Sequence, residues 1–322
     1  MTPEEVAAVS SAGLALFEEV TSDIFLSVLS GIYFLAYCIS LYIHFRTKGN
    51  AGNAKKAMIC VLLGNFVLML MLFVSFVALV MPDFVKYKLL VTHPEGIMEQ
   101  IIADDLQSHL KVYNTICSWL GNFIQLIADI VIVWRAWAVW IDNATVKWTL
   151  LLLMLADIAV CLADTAVDST MLAPMSSSSQ SSSESINLDW VAVVLSLSVN
   201  MVATCSIAFR AWLHYKSMKS ISIRRKKTKG ERILLLLLES GAVYMLFQLL
   251  VITTDALNVN APASSTVGFV GTLATRLYIS AASLNPVIIF ILVQTHMTKV
   301  STLKKFLHSV NKLSHSRFWH FL

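Results

Sequence analysis

The sequence predicts an all-α membrane protein, a bundle of seven transmembrane helices, and three observations lead to this fold class. Of the 322 residues, 57% are hydrophobic and 14% are charged, with a mean hydropathy of +0.71, a balance far outside that of soluble domains. Apolar runs of about 20 residues, enough to cross about 30 Å of hydrocarbon, occur seven times. Charged or Ser- and Pro-rich breaks separate these runs. The runs lie at about 23–45, 57–81, 113–135, 148–167, 189–212, 232–254 and 267–294.

Three regions follow from these spans. Residues 1–22 contain four Glu residues and lack the basic region and cleavage site of a signal peptide, so we expect an extracellular segment. Residues 23–294 form the seven-helix transmembrane domain. Residues 295–322 alternate apolar and basic positions at helical spacing, which predicts a cytosolic amphipathic helix along the inner leaflet.

Lys and Arg are distributed unequally between the two sets of connections. The first, third and fifth connections and the tail are rich in Lys and Arg, whereas the other side contains mostly Asp and Glu. Because short basic connections stay in the cytosol, the amino terminus is predicted outside and the carboxyl terminus inside. A glycan on the sequon at Asn143, in a predicted cytosolic connection, would contradict this orientation.

Ionisable residues inside hydrocarbon are costly and are therefore functional candidates. The spans contain Asp129, Asp157, Asp164, Glu239 and Arg276. Counting residues from the span ends places Glu239 and Arg276 near mid-membrane, where they could pair, and Asp157 competes for Arg276. Asn200 joins this group as a polar network or ligand candidate, with helix-to-helix hydrogen bonding as the alternative role.

Two helix ends repeat one another, IVWRAW at 132–137 and IAFRAW at 207–212. Arg135 and Arg210 could each extend to the membrane surface while the Trp anchors at the interface. The alternative is a switch in which Arg135 releases Asp129 or a neighbouring helix when the inner helix ends separate.

The pair Asn285-Pro286 stands inside the last apolar run. Pro286 removes a backbone donor and kinks the helix, and we expect the Asn285 amide to satisfy the exposed carbonyls. This combination predicts a hinge.

The fifth connection carries a cluster of basic residues, Arg224, Arg225, Lys226 and Lys227. It could serve only topology and lipid contact, or it could bind an acidic cytosolic partner.

Seven spans, a basic third inner loop and an Asn-Pro in the last span resemble the plan of G-protein-coupled receptors. WRAW after Asp129, GERILLLLLESGAVY at 230–244 and SLNPVIIFILV at 283–293 resemble the uncharacterised seven-span receptor-like proteins of basidiomycete fungi. The resemblance implies a plasma-membrane receptor, a heterotrimeric G protein or other cytosolic transducer as partner, and no nucleic acid. Two positions depart from rhodopsin-like receptors, because Trp134 rather than an acid precedes Arg135 and no Tyr follows Pro286 closely.

The leading hypothesis is a receptor-like protein that senses a small, lipophilic or peptidic extracellular cue near the outer half of the bundle. The alternative is a transporter or ligand-gated channel that uses Asp157, Glu239 and Arg276. An enzyme is not expected, because the His residues lie in loops, at span edges or in the tail and no nucleophile stands beside a base. We expect no metal and no cofactor. A retinal linkage would need a Lys in the last span, which has none.

Overall fold

The computed structural model describes residues 3–46, 53–75, 77, 104–140, 143–170, 181–219, 229–258 and 266–318, and omits some side chains near the helix ends. Within these residues the chain is helical except at Trp140 and Asn143, with no strand. The seven helices are α1 (Pro3–Arg46), α2 (Asn53–Ser75), α3 (Asp104–Val139), α4 (Ala144–Thr170), α5 (Ser181–Lys219), α6 (Lys229–Asn258) and α7 (Thr266–Phe318).

Each helix contains a stretch long and apolar enough to cross a membrane, which confirms the seven predicted spans. These stretches are Val20–Arg46, Lys56–Ser75, Thr115–Val139, Ala144–Val167, Trp190–Leu213, Leu234–Asn258 and Thr266–Thr295. These stretches begin and end within six residues of the predicted spans, although α1, α3, α5 and α7 extend well beyond them. The coarser prediction, an all-helical integral membrane protein, therefore holds.

Helices that follow one another in the sequence pack side by side, and α7 returns to pack against α1. α3 contacts α2, α4, α5 and α7 and so occupies the centre of the bundle. The spans of α3 and α7 are half or more buried, whereas the other spans are mostly uncovered. Many uncovered side chains are large and apolar, such as Leu152 and Leu246, as expected where hydrocarbon rather than water surrounds the helices.

We call the end of the bundle where α1, α3 and α5 finish the basic end, because the basic connections of the sequence leave from it. Trp134, Trp137, Trp148 and Trp212 are exposed at this end, in the pattern of an aromatic belt at a membrane interface. The cytosolic location of this end stays a prediction.

The tail is helical to Phe318 and continues α7 without a break. Its side chains after Thr295 lie outside the described residues, so its predicted amphipathic contact with the inner leaflet stays a prediction.

Candidate functional site

A chain of hydrogen bonds links buried side chains of α3, α5 and α6, and we call it the central polar chain. Ser196 donates to Asp129 Oδ2, and Gln248 Nε2 donates to Ser196 Oγ at 2.8 Å. Asn200 Nδ2 donates to Gln248 Oε1 at 3.0 Å, and Thr204 Oγ1 donates to Asn200 Oδ1 at 3.1 Å. All five side chains are buried. Such bonds hold membrane helices together and fix their register.

Two tyrosines border this chain. The hydroxyl of Tyr244 on α6 donates to that of Tyr278 on α7 at 3.3 Å, and the two rings stack with centroids 5.7 Å apart. Both tyrosines also lie close to Ser196. The central polar chain therefore adjoins α7.

Asp129 on α3 and Asp157 on α4 face one another, and we call them the carboxyl pair. The antiparallel register of α3 and α4 is fixed by two bonds, Asn122 Nδ2 to Asp164 Oδ2 at 3.0 Å and Trp119 Nε1 to Ser169 Oγ at 2.8 Å. Continuing this register brings Asp129 and Asp157 to the same level, and the two groups lie within electrostatic range. Both side chains are fully buried.

Three oxygens of the carboxyl pair have no hydrogen-bond partner among the described residues. They are Asp129 Oδ1 and both side-chain oxygens of Asp157. Buried carboxylates elsewhere in proteins are almost always paired or ligated, because an isolated charge in a low dielectric is very unfavourable. This pair is the most unusual chemical feature of the bundle.

A polar stripe runs from the carboxyl pair toward the end opposite the basic end. It comprises Asn122 and Gln125 on α3 and Cys161 and Asp164 on α4, at the three- and four-residue spacings that place side chains on one helix face. Cys161 lies within electrostatic range of the carboxyls of Asp129, Asp157 and Asp164. The stripe thus connects the centre of the bundle with the end opposite the basic end.

Arg135 is buried near the basic end, and its Nη1 donates to Ser240 Oγ on α6 at 2.9 Å. The prediction that Arg135 extends to the membrane surface is therefore wrong. The residue lies on the face of the central helix that packs inward, so its side chain meets α6 instead of lipid headgroups. It does not contact Asp129, which is bonded to Ser196.

Arg210 behaves differently although its sequence surroundings repeat those of Arg135. Its guanidinium lies over the ring of Trp140 with 5.2 Å between Cζ and the centroid, and it is only partly buried. Trp140 Nε1 donates to the carbonyl of Ser206 at 3.0 Å, and the Trp140 ring stacks on that of Phe209. Arg210 therefore tightens the contact between α3 and α5 at the basic end.

Pro286 lies inside α7, which continues on both sides of it. The carbonyl of Ser283, in the turn before the proline, accepts a hydrogen bond from Asn65 Nδ2 on α2 at 2.8 Å. Pro286 lacks the N–H that would bond to the carbonyl of Ala282, and Asn65 bonds to the next carbonyl, that of Ser283. Asn285 Nδ2 has no partner within the described residues, so the predicted bond from its amide to a freed carbonyl is not formed. The Asn285 side chain instead lines the groove between α6 and α7.

Glu239 and Arg276 do not pair, and Asp157 does not pair with Arg276, in the part of the chain that the structure describes. Tyr244 meets Tyr278, so Glu239 lies five residues to one side of this level and Arg276 two residues to the other. At 1.5 Å per residue they are separated by about 10 Å along the helix axes. The residue count from predicted span ends missed this offset.

An apolar groove of about 300 Å³ opens between α6 and α7 beside α1. Glu239, Ser240 and Tyr244 line it from α6, and Asn285 and Ile288 line it from α7. It lies toward the basic end, which is predicted to be cytosolic, whereas the ligand site was predicted in the outer half.

Sequence reasoning missed several site residues. Ser196, Thr204, Ser240 and the two tyrosines are not ionisable, so a search for intramembrane charges passes over them. A signal was present on α5, since Ser196, Asn200 and Thr204 recur every four residues on one face. The basic cluster Arg224, Arg225, Lys226 and Lys227 lies outside the described residues.

No group of three or more His, Cys, Asp or Glu side chains is arranged to hold a metal ion among the residues with a described position. Comparison of the chain with protein-family models, curated proteins and solved structures gave no match.

Proposed function

We propose that the protein is a seven-span receptor of the plasma membrane that signals through a cytosolic transducer, such as a heterotrimeric G protein, at its basic third inner loop. The observation that carries the proposal is the hydrogen bond from the buried Arg135 to the partly buried Ser240. It joins the central helix to α6, the helix that begins directly after the basic loop. A change in this contact would move the loop that meets the transducer.

The remaining contacts of α6 are those that a change in its position would alter. α6 is bonded to α5 through Gln248 and Asn200 and to α7 through the tyrosine pair. α7 in turn is bonded to α2 through Asn65, close to Pro286. A shift of α6 at the basic end can therefore be hinged at the central polar chain and accompanied by bending at Pro286.

The groove between α6 and α7 gives a lipophilic cue a route from the bilayer to the Arg135 contact. Ser240, the acceptor for Arg135, lines this groove. A ligand that fills the groove would alter the position of α6 and thereby favour one of two helix arrangements. A lipophilic ligand is thus favoured over a peptide.

The test is capture of nucleotide-free Gα subunits from a basidiomycete fungus by the full chain in lipid nanodiscs. In one variant Arg224, Arg225, Lys226 and Lys227 are neutralised. The matched control neutralises Lys299, Lys304, Lys305 and Lys312 in the tail and removes the same charge. We expect capture by the wild type and the control and loss in the loop variant. Absence of capture by every form would count against G-protein coupling.

A transporter is the second candidate, because the unpartnered oxygens of Asp129 and Asp157 lie at the end of a polar stripe. Carboxylates in this position carry ions or protons in many transporters. Sodium or proton flux into proteoliposomes, abolished by Asp157→Asn, would favour transport over signalling.

A further inference from the structure

Two polar side chains lie at nearly the same level of the groove between α6 and α7. Tyr244 on α6 meets Tyr278 on α7, so this pair defines a common level for the two helices. Glu239 lies five residues and Asn285 seven residues from it, both toward the basic end. At about 1.5 Å per residue, their levels differ by about 3 Å along the helix axes. Glu239 and Asn285 therefore form one polar end of the groove.

Neither of these side chains is fully paired within the protein. Glu239 is exposed, five residues inside the apolar stretch that begins at Leu234, and forms no ion pair or hydrogen bond with a described residue. Asn285 is only 5% exposed, and its Nδ2 lacks a partner in the part of the chain that the structure describes. A carboxylate beside hydrocarbon and a buried donor without an acceptor are both unfavourable. A group from outside the chain is therefore expected to complete this end of the groove.

Beyond its polar end, the groove is mainly apolar. It continues for eight residues on each helix, to Phe247 on α6 and to Leu277 on α7, which is about 12 Å. The two hydroxyls in this part, those of Tyr244 and Ser280, are already bonded within the protein. One leaflet of a membrane contains about 15 Å of hydrocarbon, so this length suits a lipid chain parallel to the helices. The volume of about 300 Å³ suits one chain better than two.

The charge of the groove indicates which head group it suits. Glu239 is acidic, and no Lys, Arg or His lines the groove among the residues with described side chains. Arg135 bonds to Ser240 but is buried and does not line the groove. Glu239 would repel an anionic lipid, and a neutral alcohol would leave its charge uncompensated. An ammonium neutralises the charge and donates charge-assisted hydrogen bonds, which are about twice as strong as neutral ones.

We propose that this groove binds a single-chain lipid amine with a hydroxyl beside the amino group, that is, a long-chain amino alcohol. The ammonium donates to the Glu239 carboxylate, the hydroxyl accepts from Asn285 Nδ2, and the chain packs between α6 and α7 toward the middle of the membrane. The inference rests on the proposed function only in supplying its ligand class, because binding needs no transducer. Repulsion between the ammonium and Arg135 would weaken the bond from Arg135 to Ser240.

The experiment measures binding of tritiated sphinganine, an amino alcohol with one saturated chain, to the full chain in phosphatidylcholine nanodiscs, with empty nanodiscs as background. We expect saturable binding of one molecule per chain. Glu239→Gln should weaken binding about tenfold, and Asn285→Ala about threefold. Asp255→Asn is the matched control and should bind as the wild type does, because it removes a half-buried carboxyl of α6 that does not line the groove. Since Glu239 is exposed, Glu239→Gln should keep the wild-type unfolding midpoint.

Competition by unlabelled lipids tests which part of the lipid the groove binds. Octadecylamine should displace the label, less well than sphinganine, whereas octadecanol and stearate should not. Displacement by octadecanol or stearate as effective as that by sphinganine overturns the proposal. So does the absence of saturable binding, or unchanged binding in Glu239→Gln.

The two proposals fail in different ways. Saturable sphinganine binding without capture of Gα by any form would contradict the proposed function and support the lipid site. Capture of Gα by a protein that does not bind sphinganine would overturn the lipid site alone.

Discussion

Gly241 allows α5 and α6 to approach closely at the central polar chain. A Cβ at this position would lie 2.5 Å from Thr204 Oγ1 and 3.2 Å from Thr204 Cγ2. The carbonyl of Gly241 also accepts a bond from Asn200 Nδ2 at 3.4 Å. The absence of a side chain is therefore what brings Asn200 within reach of α6, as small residues do at other membrane helix contacts.

Gly241→Ala should lower the free energy of unfolding by about 1–3 kcal/mol, because the methyl group forces the two helices apart. Unfolding by SDS in mixed micelles measures the change. The double variant Gly241→Ala with Thr204→Ala should lose less than the sum of the two single changes, since the clash is gone. Gly64→Ala is the control, because nothing lies within 4 Å of a Cβ there. Equal losses at both glycines would contradict the close approach.

The hydrogen bond between Arg135 and Ser240 should appear as an energetic coupling. In a double-mutant cycle with Arg135→Gln and Ser240→Ala, we expect a coupling of about 1 kcal/mol in the free energy of unfolding. A parallel cycle with Arg210→Gln and Ser240→Ala should be additive, because Arg210 contacts Trp140 instead. Additivity in both cycles would show that the bond contributes nothing to stability.

The two Arg-Ala-Trp repeats show which residue properties the sequence predicts and which it does not. The exposed tryptophans agree with the expected interface anchors, because their type alone favours that depth. Burial of Arg135 depends on the rotation of α3 within the bundle. α3 packs against four other helices and α5 does not. The same Arg-Ala-Trp sequence therefore has a different environment in each helix.

α7 is joined near its proline to a distant part of the sequence. The carbonyl of Ser283, three residues before Pro286, accepts a hydrogen bond from Asn65 of α2, 218 positions away in the sequence. A local rule links a kink with the polar residue beside it, and this rule suggested Asn285. The spans themselves were predictable because length and apolar composition decide them, whereas the contacts between spans depend on packing register.

Asn65→Leu should destabilise the protein by about 1–3 kcal/mol, because it removes the buried hydrogen bond to the Ser283 carbonyl. Pro286→Ala restores a donor for the carbonyl of Ala282 rather than for that of Ser283, so the same change should cost about as much in that background. SDS unfolding curves of the four proteins test this. A much smaller cost in the Pro286→Ala background would mean that Asn65 acts through the proline.

For the molecule as a whole, the direction of insertion remains the central prediction. A sequon placed in the Ser-rich segment at 176–183 should be glycosylated in microsomes, whereas the natural one at Asn143 should not. A shift in electrophoretic mobility that an endoglycosidase reverses is the readout. Glycosylation of Asn143 alone would show that the predicted orientation is reversed and that the basic end lies outside.

The seven predicted spans identify the helices of the bundle but not the contacts between their buried side chains. Counting residues from span ends put Glu239 opposite Arg276, and the tyrosine pair shows that the two helices are offset by about 10 Å from that alignment. Asp129, Asp157, Asp164 and Asn200 were found as candidates because charged and amide groups in hydrocarbon are rare. Their mutual arrangement follows from helix packing, which no single span encodes.

Cys161 lies one turn from Asp157 and is almost fully buried between α3 and α4. Only a thiolate reacts readily with water-soluble alkylating reagents, and a thiolate forms only where water can enter. In a chain whose other four cysteines are replaced, the rate of alkylation would therefore report how often the two helices part. Alkylation of Cys161 would thus measure how often water reaches the buried carboxyl groups of Asp129 and Asp157.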